Sequence, residues 1–190
     1  MVYEHEINGI PVQTGDIICT TDGSTEDIKG QFWRLIGKLI PGEIDHTAIY
    51  VGPEGRCVEA GAKARVITYS IEGETWDADA MYTQRGIMDS LYGIVFPLAD
   101  KDLSSQKMTE IRKGVAEYCL EQADKKKPYN LNFLNSGTED AFYCSQLAYK
   151  AYLEYGIDLN TGIGVPEIPF TESIIFPQEI WNGCEHTKVE

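Results

Sequence analysis

Of the side chains that can attack a carbonyl at neutral pH, the sequence carries five cysteines, Cys19, Cys57, Cys119, Cys144 and Cys184, and its three histidines are His5, His46 and His186. A cysteine becomes a working nucleophile when its thiolate is stabilised and a base lies beside it; a helix N-terminus supplies the first condition. Cys144 heads an apolar stripe, lying three, four, seven, eight and eleven positions before Leu147, Ala148, Ala151, Tyr152 and Tyr155, so its side chain turns to the core side of a helix. The pattern predicts that helix over 141–155, stopped at Gly156, with Thr138, Glu139 and Asp140 as caps ahead of it. A buried, inert thiol is the ordinary fate of a free cysteine, and Cys144 taken alone fits that description as well.

The base must come from the histidines. His5 lies in a polar leader and His186 among the last residues, where order is often lost. His46 opens the strand DHTAIYVG (45–52), at a sheet margin where a ring can face a helix end; a structural histidine bonded to a loop is the alternative. A third group follows from register. If the turn after that strand leaves paired positions with an odd sum, Glu59 lies opposite Ala48, one pair along from His46 on the same face. A carboxylate there would fix the imidazole tautomer and stabilise the imidazolium. A bulge would instead turn Glu59 away, as a solvent-facing residue.

The elements that must position these groups are short. GDIICTTD (15–22) reads as a strand, and Ile28 to Ile40 as a helix with Phe32, Leu35, Ile36 and Leu39 on one face, ended by Pro41 and Gly42. DHTAIYVG, RCVEAGA (56–62) and ARVITYSI (64–71) form an antiparallel meander. Within 72–90 only a short helix around Trp76 to Met81 is suggested, and GIVFPL (93–98) is a further strand. A long helix capped by Ser104 or Ser105 runs to about Ala123, burying Met108, Ile111, Val115, Tyr118 and Cys119. From 157 the chain is rich in Gly, Pro and Ile, with extended stretches packing across the body. The layout is α+β, in one domain over 1–190.

Composition narrows the partners. The formal charge is −14, from 30 acidic and 16 basic residues, which repels nucleic acid and anionic membranes and favours neutral or amine-bearing ligands. No basic segment followed by an apolar stretch opens the chain, and no apolar run is long enough for stable membrane insertion. The scattered cysteines form no CxxC pairs, which points to free thiols in the cytoplasm and to neither a metal site nor a cofactor. Nothing in the sequence fixes an oligomeric state.

The segments GDII, DHTAIYVG, CVEA (57–60), PYN (128–130) and FYCSQLAYKAY (142–152) resemble the NlpC/P60 superfamily of papain-like cysteine peptidases. His46 precedes Cys144, the order of the circularly permuted branch that includes the YiiX/YebB-like proteins. The resemblance implies a permuted papain-like fold, with an antiparallel barrel-like sheet packed against a helix that bears the nucleophile. It implies Cys144 as nucleophile, His46 as general base, Glu59 as the polar third member and Tyr129 as a tyrosine at the oxyanion site. Tyr129 as one more packed tyrosine is the alternative. CSQ replaces the superfamily's CSG, so Gln146 is expected to alter substrate fit. The activity implied is that of a cysteine peptidase or amidase cleaving small peptides or cell-wall-type fragments through an acyl-enzyme. The alternatives are a lipid acyl hydrolase or acyltransferase using the same pair, marked by an apolar channel beside Cys144, and a binding module without turnover.

Overall fold

The computed structural model describes residues 1–24, 40–167 and 169–190. Most of the helix expected over Ile28 to Ile40 falls outside them.

In chain order the elements are β1 (Glu4–Ile7), β2 (Ile10–Gln13), β3 (Ile17–Ser24), β4 (His46–Tyr50), β5 (Arg56–Ala60), β6 (Val66–Ser70), α1 (Ala78–Arg85), β7 (Met88–Phe96), α2 (Ser105–Asp124), α3 (Cys144–Leu153), α4 (Pro177–Gly183) and β8 (Glu185–Lys188). Six strands form one antiparallel sheet in the order β6-β5-β4-β3-β7-β8, while β1 and β2 form a separate hairpin. The expected meander is β4-β5-β6. The sheet is open, not barrel-like: β6 and β8 lie at opposite edges. The β6 edge is covered at its start by the chain around Pro128, where Val66 N donates to Lys127 O and Tyr129 N donates to Ala64 O.

The sheet separates two cores. On one face Ile17, Cys19, Ile49 and Val58 pack against Ile111 and Val115 of α2 and Leu147, Ala148 and Tyr152 of α3. Each aliphatic side chain fully buried there contributes about 1.5–3 kcal/mol, enough to hold a ten-residue helix that would not persist alone. On the other face Ile18, Ala48, Tyr50 and Cys57 pack against Ile7 and Val12 of the hairpin and Met81 of α1. All five residues of β4 are buried, as a strand covered on both faces requires.

The first residues are therefore no polar leader. Ile7, Ile10 and Val12 are buried, and Asn8 and Gly9, with φ of 49° and 81°, make the two-residue turn that suits a hairpin. His5 stacks on Tyr50 and bonds Gly73 O through Nε2. His186 is likewise placed, in β8, with its ring 4.1 Å from that of Trp181. The tail beyond 157 contributes α4 and β8 as well as extended chain, and β8 pairs with β7. Gly93 permits that approach, since a Cβ there would meet Thr187 O at 2.3 Å.

Two helix starts define the layout further. Ser104 caps α2 by accepting from Lys107 N, as the sequence suggests. α3 begins later than 141, because Phe142 is held in extended pairing with the residues on either side of Tyr129: Phe142 N donates to Pro128 O, and Asn130 N to Phe142 O. Thr138 accepts from Asp140 N in its own turn and does not cap α3. Tyr143 is the N-cap position and Cys144 the first helical residue.

Candidate active site

The start of α3 is fixed from three sides. Gln146, fully buried, accepts from Tyr143 N at 3.2 Å and from Asn130 Nδ2 at 3.0 Å. Its amide donates to Ser136 O and Thr138 O at 3.1 and 2.9 Å. Gln146 thus fastens the 130–138 loop to the helix and is not among the residues that line the cleft beside Cys144. From the tail, Ile175 N donates to the Tyr143 hydroxyl at 3.0 Å, and Ser145 Oγ donates to Ile175 O at 2.7 Å. At the far end, Tyr152 Oη donates to Gly15 O at 2.6 Å, tying α3 to the turn before β3.

Cys144 is 4% exposed. Its sulfur feels the His46 ring and the backbone N–H groups of Thr47 and Ser145. Burial opposes ionisation of this thiol; the imidazole and the two amides outweigh it, and the pKa is held below the ordinary thiol value of 9.0. Burial likewise opposes charge on His46, yet its bonds and charge interactions with Cys144 and Glu59 carry the pKa well above 6.5. Both shifts favour the thiolate and imidazolium forms of the pair. The other thiols move the opposite way: burial pushes up Cys19, Cys57 and Cys119, and Cys184 rises to about 11.

The register has the odd sum that the sequence argument required, with Ile49 opposite Val58 and Tyr50 opposite Cys57. Continued, it puts Ala48 opposite Glu59. His46 Nε2 donates to Glu59 Oε2 at 2.9 Å, which leaves Nδ1 for the sulfur. A Cβ on Gly61 would come within 3.3 Å of His46 Cε1, so glycine there leaves the ring its space. Glu59 is fully buried, and burial alone would raise its pKa; Arg85 and His46 reverse that and hold it at about 2. Arg85 escapes sequence reasoning. It is fully buried and donates to Glu59 Oε2 from Nε and Nη2 at 3.0 and 2.8 Å. The sequence suggests a helix only around Trp76 to Met81, short of Arg85, whereas the helix runs to Arg85.

Tyr129 and Cys144 line one cleft of about 220 Å³. Burial, then the negative charge of Cys144, raise the Tyr129 phenol well above 10.0, so it remains a hydroxyl donor. The rest of the wall is mostly apolar, including Phe133, Ile174, Ile175, Phe176 and Pro177. Ile174 to Pro177, in the tail, escape sequence reasoning too, since nothing in an irregular Ile- and Pro-rich stretch marks which side chains face a cleft. The four residues singled out in the sequence, Cys144, His46, Glu59 and Tyr129, are thus brought to one place. Among the described residues no group of three His, Cys, Asp or Glu is arranged to hold a metal.

A family model described as permuted papain-like amidase enzyme, YaeF/YiiX, C92 family, matches residues 12–183. The chain belongs to this permuted papain-like amidase family. Among solved structures, the crystal structure of metalloprotein yiiX from Escherichia coli O157:H7 (DUF1105) covers 93% of this chain and 96% of its own, with a TM-score of 0.53 and 16% identity. At that identity the likeness is one of fold. No curated protein matches the chain. Membership of an amidase family suggests a hydrolase of the cysteine amidase kind.

Proposed function

We propose that this C92-family chain is a thiol-dependent hydrolase of the NlpC/P60 type that cleaves an amide through an acyl-enzyme, with Cys144 as nucleophile. The observation that carries the reading is the buried contact between the Cys144 sulfur and a His46 ring bonded to Glu59 at 2.9 Å. The thiolate attacks the carbonyl carbon. The N–H of Cys144, at the first helical position with no partner inside the helix, and the Tyr129 hydroxyl receive the oxyanion. The imidazolium gives its proton to the leaving amine as the C–N bond breaks. His46 then takes a proton from water, whose oxygen attacks the thioester, and the carboxylic acid and thiolate are released. The net charge of −14 suits a leaving group that carries an amine. Five free thiols suit a reducing compartment such as the cytoplasm.

One observation favours a second reading of the acyl half. The cleft beside Cys144 has a mostly apolar wall, which suits a hydrocarbon chain better than a polar wall peptide, as in acyl hydrolases or acyltransferases with the same pair. Both readings share the thioester. Incubation with a panel of short peptide amides and long-chain acyl amides and esters, followed by mass spectrometry of the intact protein, tests them. An acyl adduct on Cys144, lost in Cys144→Ala, is expected; turnover of every active substrate undiminished in Cys144→Ala rules the reading out.

A further inference from the structure

Behind the His46 ring lies a charged layer that the thiol itself does not touch. The guanidinium of Arg85 sits over the rings of Tyr69 and Trp76, 4.7 and 4.8 Å from their centroids. One edge clasps Asp89, with Nη1 to Oδ1 at 2.6 Å and Nη2 to Oδ2 at 2.8 Å. The remaining reach, from Nε and Nη2, converges on the single oxygen of Glu59 that also receives His46 Nε2. Asp89 is pinned in turn by Thr20 Oγ1 at 2.7 Å and, through its carbonyl, by Trp76 Nε1 at 3.1 Å. A buried ion cluster of this kind gains little over well-packed apolar side chains, so stability alone does not account for it. Its outcome is one fixed position for Glu59 Oε2.

We propose that Arg85 is a positioning residue for the thiol site: it holds the Glu59 carboxylate ionised and aimed at His46, and thereby sets the pH at which Cys144 becomes a thiolate. The inference rests on the reading of Cys144 and His46 as nucleophile and base. The groups facing Glu59 come from five strands and helices: His46 of β4, Cys57 of its own strand β5, Tyr69 of β6, Arg85 of α1 and Asp89 of β7. Burial raises the Cys57 thiol and the Tyr69 phenol, which stay neutral. Among the described residues, the charges that act on Glu59 are then His46 and Arg85, with Asp89 held on the other edge of the same guanidinium. Without the guanidinium, two carboxyl groups share a dry site with no fixed cation. Glu59 takes up a proton or turns aside, the imidazolium loses its anion, and the thiolate forms at higher pH.

The test is the rate of Cys144 alkylation by iodoacetamide across a pH series, read by peptide mass mapping, in the parent, His46→Ala, Arg85→Met and Arg85→Lys, with folding checked by circular dichroism. The thiolate midpoint is expected to rise by about one to two pH units in Arg85→Met, with a smaller rise in Arg85→Lys. Lysine keeps the charge but cannot serve both carboxylates with a planar fork. A purely structural role would lower the folded fraction and leave the midpoint of the folded protein in place. Should Arg85→Met not fold, Arg85→Lys decides, and a midpoint equal to the parent's in a folded variant overturns the proposal. The two levels separate: a parent midpoint already unchanged by His46→Ala removes the nucleophile and base reading, whereas a midpoint moved by His46→Ala but by neither Arg85 variant removes only the part assigned to Arg85.

Discussion

On the α3 side of the sheet, Cys144 sits at a helix start beside an apolar cleft with a mouth; on the α1 side, Glu59, Arg85 and Asp89 lie closed beneath Tyr69 and Trp76. His46, at the first position of β4, is the group that reaches both. The side proposed to react needs access, and beyond His46 the polar groups that act on its sulfur are backbone amides. The supporting side needs permanence, so its charges are enclosed where a low dielectric strengthens each contact and leaves an unpaired group costly. The division teaches that reactivity and rigidity need not be built in the same layer: a strand end between two cores can carry force from one to the other.

Removing the shared ring breaks the comparison most severely. His46→Ala is expected to lower turnover by roughly 10³-fold or more, measured as steady-state hydrolysis of whichever substrate forms the acyl adduct. Next in size is a contrast in stability. Arg85→Met leaves Glu59 and Asp89 buried without their cation and should cost about 3–5 kcal/mol in urea unfolding. Cys144→Ala should stay within about 1 kcal/mol, because it removes a thiolate that burial already disfavours.

Acid should act on the supporting side. Glu59 has its folded pKa depressed from 4.5 to about 2. The unfolded chain therefore binds this proton more readily, so the stability linked to it is present above about pH 4.5 and is lost as pH falls toward 2. The shift corresponds to on the order of 3 kcal/mol. Urea midpoints at pH 3 and pH 6 should diverge more in the parent than in Glu59→Gln. The smallest effect belongs to the cleft wall. Ile174→Ser should lower kcat/KM about 10-fold for long-chain acyl substrates and leave acetyl substrates nearly unchanged, since only the former reach that wall.

The parts legible in sequence were those carried by local pattern. The stripe behind Cys144 and the strand HTAIY give the direction of a sulfur and a ring, because strand register and helix periodicity fix side-chain direction, whereas Glu59 joins them only on condition of an odd-sum register, which the pairing of β4 with β5 has. α3 starts later than its helical pattern predicts because pairing of Phe142 with Pro128 and Asn130, fourteen and twelve residues apart in sequence, overrides that pattern. The hairpin at Asn8-Gly9 was overlooked among charged neighbours, although its alternating Ile7, Ile10 and Val12 carry the signal. Arg85 had no signal of that sort. A charged residue at the end of a short helix normally faces water, and its burial depends on Glu59, Asp89, Tyr69 and Trp76 meeting in three dimensions.

The account stands on the ionisation of one sulfur. Limited alkylation with iodoacetamide at pH 5 to 9, followed by quantitative mapping of all five cysteine peptides, measures it directly. Cys144, although 4% exposed, should react first and at a lower pH than an ordinary thiol, ahead of the half-buried Cys184, whose pKa is pushed up to about 11. Labelling of Cys184 ahead of Cys144, with Cys144 reacting only as pH nears the ordinary thiol value, would contradict it.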